Sequence, residues 1–265
     1  MFYGAMNFPV RPILEEVEAI GNLGFDYLEL SMDPPRGHYK IVRKQKKRLL
    51  DALRRLGMGL VCHLPTFLST ADLTESIRKA SVKETLSSLE LAADLRSLKV
   101  VLHPSYMGGL SLFVKDETTD YAFRSLEAIV KKADQLGLCL CIENLFPQTH
   151  SLQEPGDFVE IFKRFPSLKL TLDTGHAHIR DRGGRRALDF IEMFSDRIEH
   201  IHASDNFGKE DNHIPIGTGT VDYRRIVRAL KKIGYNKTIT LEVFSRDRDY
   251  LRISRDKLAD LFAKD

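Results

Sequence analysis

The chain has 265 residues, 43% of them apolar and 29% charged, with no tryptophan and a formal net charge of +3. That length fits one large domain or two small ones, and the charge is far below the electrostatic footprint of a dedicated nucleic-acid binder. No run of about 18 apolar residues suggests a membrane span, and the opening MFYGAMNFPVRP lacks the basic flank and long apolar core of a signal peptide. The expectation is a cytoplasmic protein with no membrane partner. The three cysteines, Cys62, Cys139 and Cys141, fall in apolar segments and read as reduced core thiols. Cys139-X-Cys141 as a soft-metal site is the weaker reading, because alternate positions of a strand explain it equally.

In chain order, short aliphatic or β-branched runs alternate with longer amphipathic ones. Strands are expected at FYGAM (2–6), FDYLELS (25–31), MGLVCH (58–63), LKVVLH (98–103), LCLCIE (138–143), LKLTLD (168–173), IEHIHA (198–203) and TITLEV (238–243). PILEEVEAIGNLG follows the first strand as a helix. After the second comes the basic run RKQKKR (43–48) with Leu49, Leu50 and Leu53, which reads as the outer face of a helix. VKETLSSLELAADL, YAFRSLEAIVKKADQLG, DYRRIVRALKKIG and the closing RISRDKLADLFA complete the helical patterns. Several stop at a glycine just before the next strand, where a left-handed residue ends a helix. Eight strand-then-helix units with no composition break imply a parallel sheet, and eight strands close a barrel. The rival open sheet needs a GxGxxG after its first strand, where this chain has NFPVRP. The expected architecture is α/β, a single (β/α)8 TIM barrel over residues 1–265.

In such a barrel the C-terminal ends of the strands carry the chemistry. His63, His103, Glu143 and Asp173 end the third to sixth strands; the seventh carries His202 and the eighth Glu242. His176 follows three residues after Asp173, while Asp211 and His213 sit in the loop EDNHIPIGTG after the seventh strand. A single histidine ending a strand reads as a hydrogen-bonded core residue. Six successive strands ending this way would crowd ionisable groups at a cost of several kcal/mol each unless divalent cations compensate them. Imidazoles and carboxylates without thiolates suit zinc, manganese or iron(II). His200 shares a strand face with His202 and is expected beneath the site, either supporting it or as a satisfied core residue. His178 is a lesser candidate for reaching a ligand; His38 and His150 are expected to be exposed.

The segments HLPTFLS, LHPS, IENLF, LDTGHAH, HASDN with EDNHIPIGTGTVDY, and LEVF resemble the xylose isomerase-like barrel superfamily over nearly the whole chain. That superfamily holds sugar isomerases and epimerases and also the endonuclease IV group. Similarity to the epimerase branch implies one metal, usually manganese or cobalt-like, on Glu143, Asp173, His202 and Glu242. Similarity to endonuclease IV implies three zincs. His63, His103 and Glu143 would hold the first, Glu143, Asp173, His202 and Glu242 the second, and His176, Asp211 and His213 the third. The implied cofactors are thus one to three zinc or manganese ions per chain.

Two chemistries follow from the resemblance. In the first, a metal-dependent isomerase or epimerase acts on a small sugar or sugar phosphate, with Glu143 and Glu242 exchanging protons with carbon and His176 contacting the substrate. In the second, a zinc phosphodiesterase of the abasic-site endonuclease type uses all nine ligands, and nucleic acid becomes the partner. The flanks depart from that second pattern: Thr66, Phe67, Leu68 and Ser69 replace a Tyr-Leu-Ile-Asn run, Gly175 stands where a cysteine is usual, and Asn212 takes an arginine position. Arg36, Arg180 and Arg182 are candidates for a substrate phosphate, with Arg185 and Arg186 in the same stretch as Arg180 and Arg182; solvated loop charge is the simpler account. Oligomeric state is not readable from the helix faces.

Overall fold

The computed structural model describes residues 1–264. Eight parallel strands form a closed barrel in sequence order: β1 (Phe2–Met6), β2 (Tyr27–Ser31), β3 (Gly59–His63), β4 (Val100–Leu102), β5 (Leu140–Glu143), β6 (Lys169–Asp173), β7 (Ile198–Ala203) and β8 (Thr238–Leu241). The outer ring is α1 (Ile13–Asn22), α2 (Tyr39–Leu56), α3 (Glu75–Asp94), α4 (Lys115–Gln135), α5 (Val159–Arg164), α6 (Thr174–His178), α7 (Arg186–Met193), α8 (Tyr223–Lys232) and α9 (Asp249–Ala263). Among the described residues no helix is long and apolar enough to cross a membrane.

The expected strands all form, with shifted ends. His103 and Glu242 lie one residue beyond β4 and β8, because the ladder stops at Val101↔Cys141 and Leu102↔Ile142 on one side and at Ala203↔Leu241 on the other. α3 and α4 start several residues earlier than their apolar patterns, since their first turns are polar and solvated. The terminal glycines behave as expected: Gly24, Gly57, Gly137 and Gly234 have φ of 75°, 65°, 66° and 69°.

Strand residues pointing outward, such as Leu28, Leu30, Leu60, Val100, Ile142, Leu170, Leu172 and Ile201, join the apolar faces of the helices in one continuous core. The arginines and lysines of the 43–48 run lie on the solvent side of α2, while Val42, Leu49 and Leu53 are buried. Cys62 and Cys141 are buried free thiols; Cys139 is only half-buried, at the lower mouth of the barrel. His150 is exposed as expected. His38 corrects that expectation: it is half-buried, accepts from Lys40 N to cap α2, and lies 3.0 Å from Glu84 Oε2.

Inside the barrel, Gly4 of β1 stands beside Tyr27 of β2. A Cβ at Gly4 would enter the Tyr27 ring, whose hydroxyl reaches Thr240 Oγ1 across the interior at 2.8 Å. Gly4→Ala is therefore expected to destabilise the fold by about 1–3 kcal/mol through overpacking, read from the midpoint of urea unfolding.

Candidate metal centre

All nine candidate residues converge at the C-terminal mouth. Seven are buried; Asp211 and His213 are partly exposed, with side-chain exposures of 18% and 19%. Glu143 occupies the middle. Its Oε2 lies 3.3 Å from His63 Nε2, and its Oε1 lies 3.3 Å from both His176 Nδ1 and His202 Nδ1. Glu242 Oε1 is 3.1 Å from His202 Nδ1, and Asp173 Oδ2 is 3.8 Å from the same nitrogen. Asp211 Oδ2 bridges His176 Nε2 at 3.2 Å and His213 Nε2 at 2.8 Å.

The backbone around these groups is braced. Asp173 caps α6 by accepting from His176 N at 2.6 Å. Asn144, directly after β5, donates to Asp173 O and accepts from Asp173 N at 3.0 and 2.8 Å. Asp205, fully buried, accepts from the amides of Asn206, Gly217 and Val221 and so gathers the loop after β7. Gly219 is required there because a Cβ would collide with Asn206 O and Asp205 Oδ1. His213 itself has φ of 47°, a left-handed conformation that turns its ring toward the centre.

The imidazoles fit a metal ion in a specific way. His63, His176 and His213 each have Nδ1 against a backbone carbonyl: Leu64 O at 2.8 Å, Asn144 O at 2.9 Å and Glu242 O at 3.1 Å. A carbonyl only accepts, so Nδ1 carries a proton; Nε2 faces Glu143 in His63 and Asp211 in His176 and His213, while Nδ1 of His176 also lies beside Glu143 Oε1. His202 is reversed, with Nε2 3.0 Å from Glu29 Oε1 and Nδ1 turned inward. Among the described residues, seven buried side-chain polar atoms lack a hydrogen-bond partner, and four of them are His103 Nδ1, Asp173 Oδ2, His202 Nδ1 and Asp211 Oδ1. Orphans concentrated in this way mark missing positive charge rather than poor packing. Three overlapping triads drawn from the nine bring ligand atoms within 4.8 Å of one another: His63, Glu143 and His202; Glu143, Asp173 and His176; Asp173, His202 and Glu242. These clusters are compatible with a divalent metal site.

The electrostatics agree. Burial opposes charge on His63, but Glu143 outweighs it and raises the imidazole to about 9. Burial likewise opposes charge on His213, and Asp211 raises it to about 9. His103 is driven down to about 3 by burial and stays neutral. Glu143 is held well below the ordinary carboxylate range: burial would raise it, and His202, His176 and His63 together prevail. Burial pushes Glu242 up to about 7, with Asp173 adding repulsion.

Aromatic side chains wall the mouth. Ring centres of Phe146 and His176 are 4.9 Å apart, as are those of Phe244 and His213; Tyr106 stands 5.3 Å from His103. Phe67, in the loop after β3, is 77% exposed. Arg36, Arg180 and Arg182 are exposed, and their side chains form no ion pair among the described residues. Arg182 and His178 line a separate cavity of about 340 Å3 against α8, where His178 Nε2 meets Thr220 Oγ1 at 2.9 Å. A further cavity of about 500 Å3, mostly apolar, lies outside the barrel wall between α4 and the loop after β5 and includes none of the nine.

Glu29 was not singled out in the sequence. It lies mid-strand in β2, has no solvent exposure, and joins His200 Nε2 at 2.9 Å as well as His202. An acidic residue in the centre of a strand buried on both faces is a signal that could have found it.

Comparison with known proteins gives a consistent lineage. The family model described as "Xylose isomerase-like TIM barrel" matches residues 17–261. The uncharacterized protein MJ1311 of Methanocaldococcus jannaschii is 31% identical, over 98% of this chain and 92% of its own length. A solved structure described as a D-tagatose 3-epimerase-like protein superposes with a TM-score of 0.88 at 26% identity, covering 99% of this chain and 97% of that one. A probable endonuclease 4 of Mycobacterium leprae is 24% identical over 69% of this chain and 73% of its own length.

Metal loading requires neutral imidazoles, so it must displace the protons on His63 and His213. Their folded values, about 9, exceed the unfolded value of about 6.5. Their contribution to metal-free stability is therefore complete below about pH 6.5 and lost as pH rises through about 9. The metal-free protein is expected to lose thermal stability over that window, while affinity for Mn2+ or Zn2+ rises with release of protons. Unfolding scans with and without chelator, and calorimetry in buffers of different ionisation enthalpy, test both trends.

Proposed function

The chain belongs to the xylose isomerase-like TIM barrel family, and from that premise we propose that it is a divalent-metal-dependent isomerase or epimerase of a small sugar or sugar phosphate. The observation that carries this reading is the pair Glu143 and Glu242. They come from β5 and β8 and bring their Oε1 atoms within 3.3 Å and 3.1 Å of the same atom, His202 Nδ1. Two carboxyl groups delivered to one point by well-separated strands suit the removal and the return of a proton in one site. The name of the D-tagatose 3-epimerase-like structure adds support.

Glu143, Asp173, His202 and Glu242 would hold one ion. When bound, a divalent cation polarises a carbonyl and acidifies the neighbouring C–H bond. Glu143 would take the proton from carbon and Glu242 would return one. His176, fixed through Nδ1 by Asn144 O, presents Nε2 to a substrate oxygen. Tyr106, Phe146 and Phe244 would cover the C–H face of a sugar. Arg36, Arg180 and Arg182 are the candidates for a phosphate.

A second reading is favoured by one observation: Asp211 sits between His176 and His213 as a ready third group, which one metal does not need. With His63 and His103 also occupied, the site would suit phosphodiester hydrolysis by closely spaced zincs. Nucleic acid would then be the partner.

Elemental analysis of purified protein separates the two, one exchangeable Mn2+ supporting isomerisation and three tightly held Zn2+ supporting hydrolysis. Glu143→Gln and Glu242→Gln are each expected to lower kcat by about 10^2–10^4-fold. Both should also abolish deuterium wash-in from solvent into a ketose. Cleavage of an abasic-site duplex at a repair enzyme's rate, without wash-in, would overturn the leading reading.

A further inference from the structure

Beneath the mouth, a line of hydrogen bonds runs down the barrel interior to its opposite end. Glu29 receives His202 Nε2 on Oε1 at 3.0 Å and His200 Nε2 on Oε2 at 2.9 Å. Thr240 also donates to Glu29 Oε2, and Tyr27 supports Thr240. His200 Nδ1 lies 2.7 Å from Thr238 Oγ1, which Lys99 Nζ approaches at 3.1 Å.

The two ends of this line have fixed chemistry. Lys99 only donates, and an ionised Glu29 only accepts. Every bond between them then has one consistent direction: Lys99 donates to Thr238, Thr238 donates to His200 Nδ1, and His200 Nε2–H donates to Glu29. His202 must also meet Glu29 with a proton on Nε2. In the neutral ring that an ion requires, the lone pair is then on Nδ1, directed at the point where Glu143, Asp173 and Glu242 gather.

We infer that Glu29 is a positioning residue for the metal centre, selecting the Nδ1-binding form of His202 from below while touching neither ion nor substrate. This rests on the proposed metal-dependent reading and deepens it. The Glu29, His200 and His202 triad also brings ligand atoms together. It is nevertheless a satisfied hydrogen-bonded unit, since both Nε2 atoms are already engaged by Glu29 and none of the three residues has any exposure. The inverted geometry of His202 is also explained. His63, His176 and His213 commit Nδ1 to a carbonyl beside the mouth, whereas His202 commits Nε2 to the Glu29 carboxylate below it.

The test compares Mn2+ affinity of the full-length wild type and Glu29→Gln by chelator competition, with imidazole N–H protons observed by NMR in the Zn2+-loaded form. An amide offers one acceptor and one donor to two N–H groups. Glu29→Gln is therefore expected to weaken Mn2+ binding about 10–100-fold and to lose one of the two downfield N–H signals assigned to His200 and His202. A folded Glu29→Gln that binds Mn2+ as tightly as wild type, or keeps both signals, overturns the inference and leaves the proposed function standing. Should Glu29→Gln fail to fold, Glu29→Asp keeps the charge but cannot reach both rings. A several-fold loss of affinity there supports the inference, and wild-type affinity overturns it. A wild type that binds no divalent ion overturns the proposed function itself, and this inference with it.

Discussion

The molecule is organised by the need to neutralise charge in a space that excludes water. Carboxylates and imidazoles crowd a mouth in which Glu143, Asp173 and His202 have almost no exposure. Each buried charge there is tolerable only with a partner at hydrogen-bond or ion-pair distance. In the metal-free protein the partners are protons: His63 and His213 are raised to about 9 while Glu143 is held low. A divalent ion supplies the same compensation with the protons removed. The clusters are thus compatible with either counter-charge, protons on the imidazoles or a divalent ion among the carboxylates.

Such interchange demands that the rings keep their orientation when the counter-charge changes. Backbone carbonyls do this for His63, His176 and His213, because a carbonyl keeps its accepting character at any pH. Asn144 ties β5 to β6, so that Glu143 and Asp173 cannot drift apart. Around this frame the aromatic rings of Tyr106, Phe146 and Phe244 supply walls without adding charge.

Much of this was legible in the sequence because a parallel barrel strand is buried on both faces and reads as an unbroken aliphatic run. LKLTLD and IEHIHA were placed as strands on their alternating aliphatic residues, and β6 and β7 match them closely. The ends at His103 and Glu242 were harder, since a ladder stops according to the neighbouring strand's register. The helices α5, α6 and α7 span too few turns to show a period. The place of Glu29 in mid-strand was itself a signal, but its role depends on His200, 171 positions away, and a single sequence does not display that pairing. Asp205 and Asn144 escaped for the same reason. Their work is done on backbone amides and carbonyls that leave no trace in residue type.

The loop after β7 has a further bearing on ligand selection. Asp205 grips it at 206, 217 and 221, and a bridge to Ile214 draws its middle against the same residue. A segment stitched to one buried carboxylate at so many points behaves as a bracket, without the slack of a swinging flap. The position of His213 is accordingly set when the chain folds, so that a ligand arriving at the mouth meets the imidazole already in place.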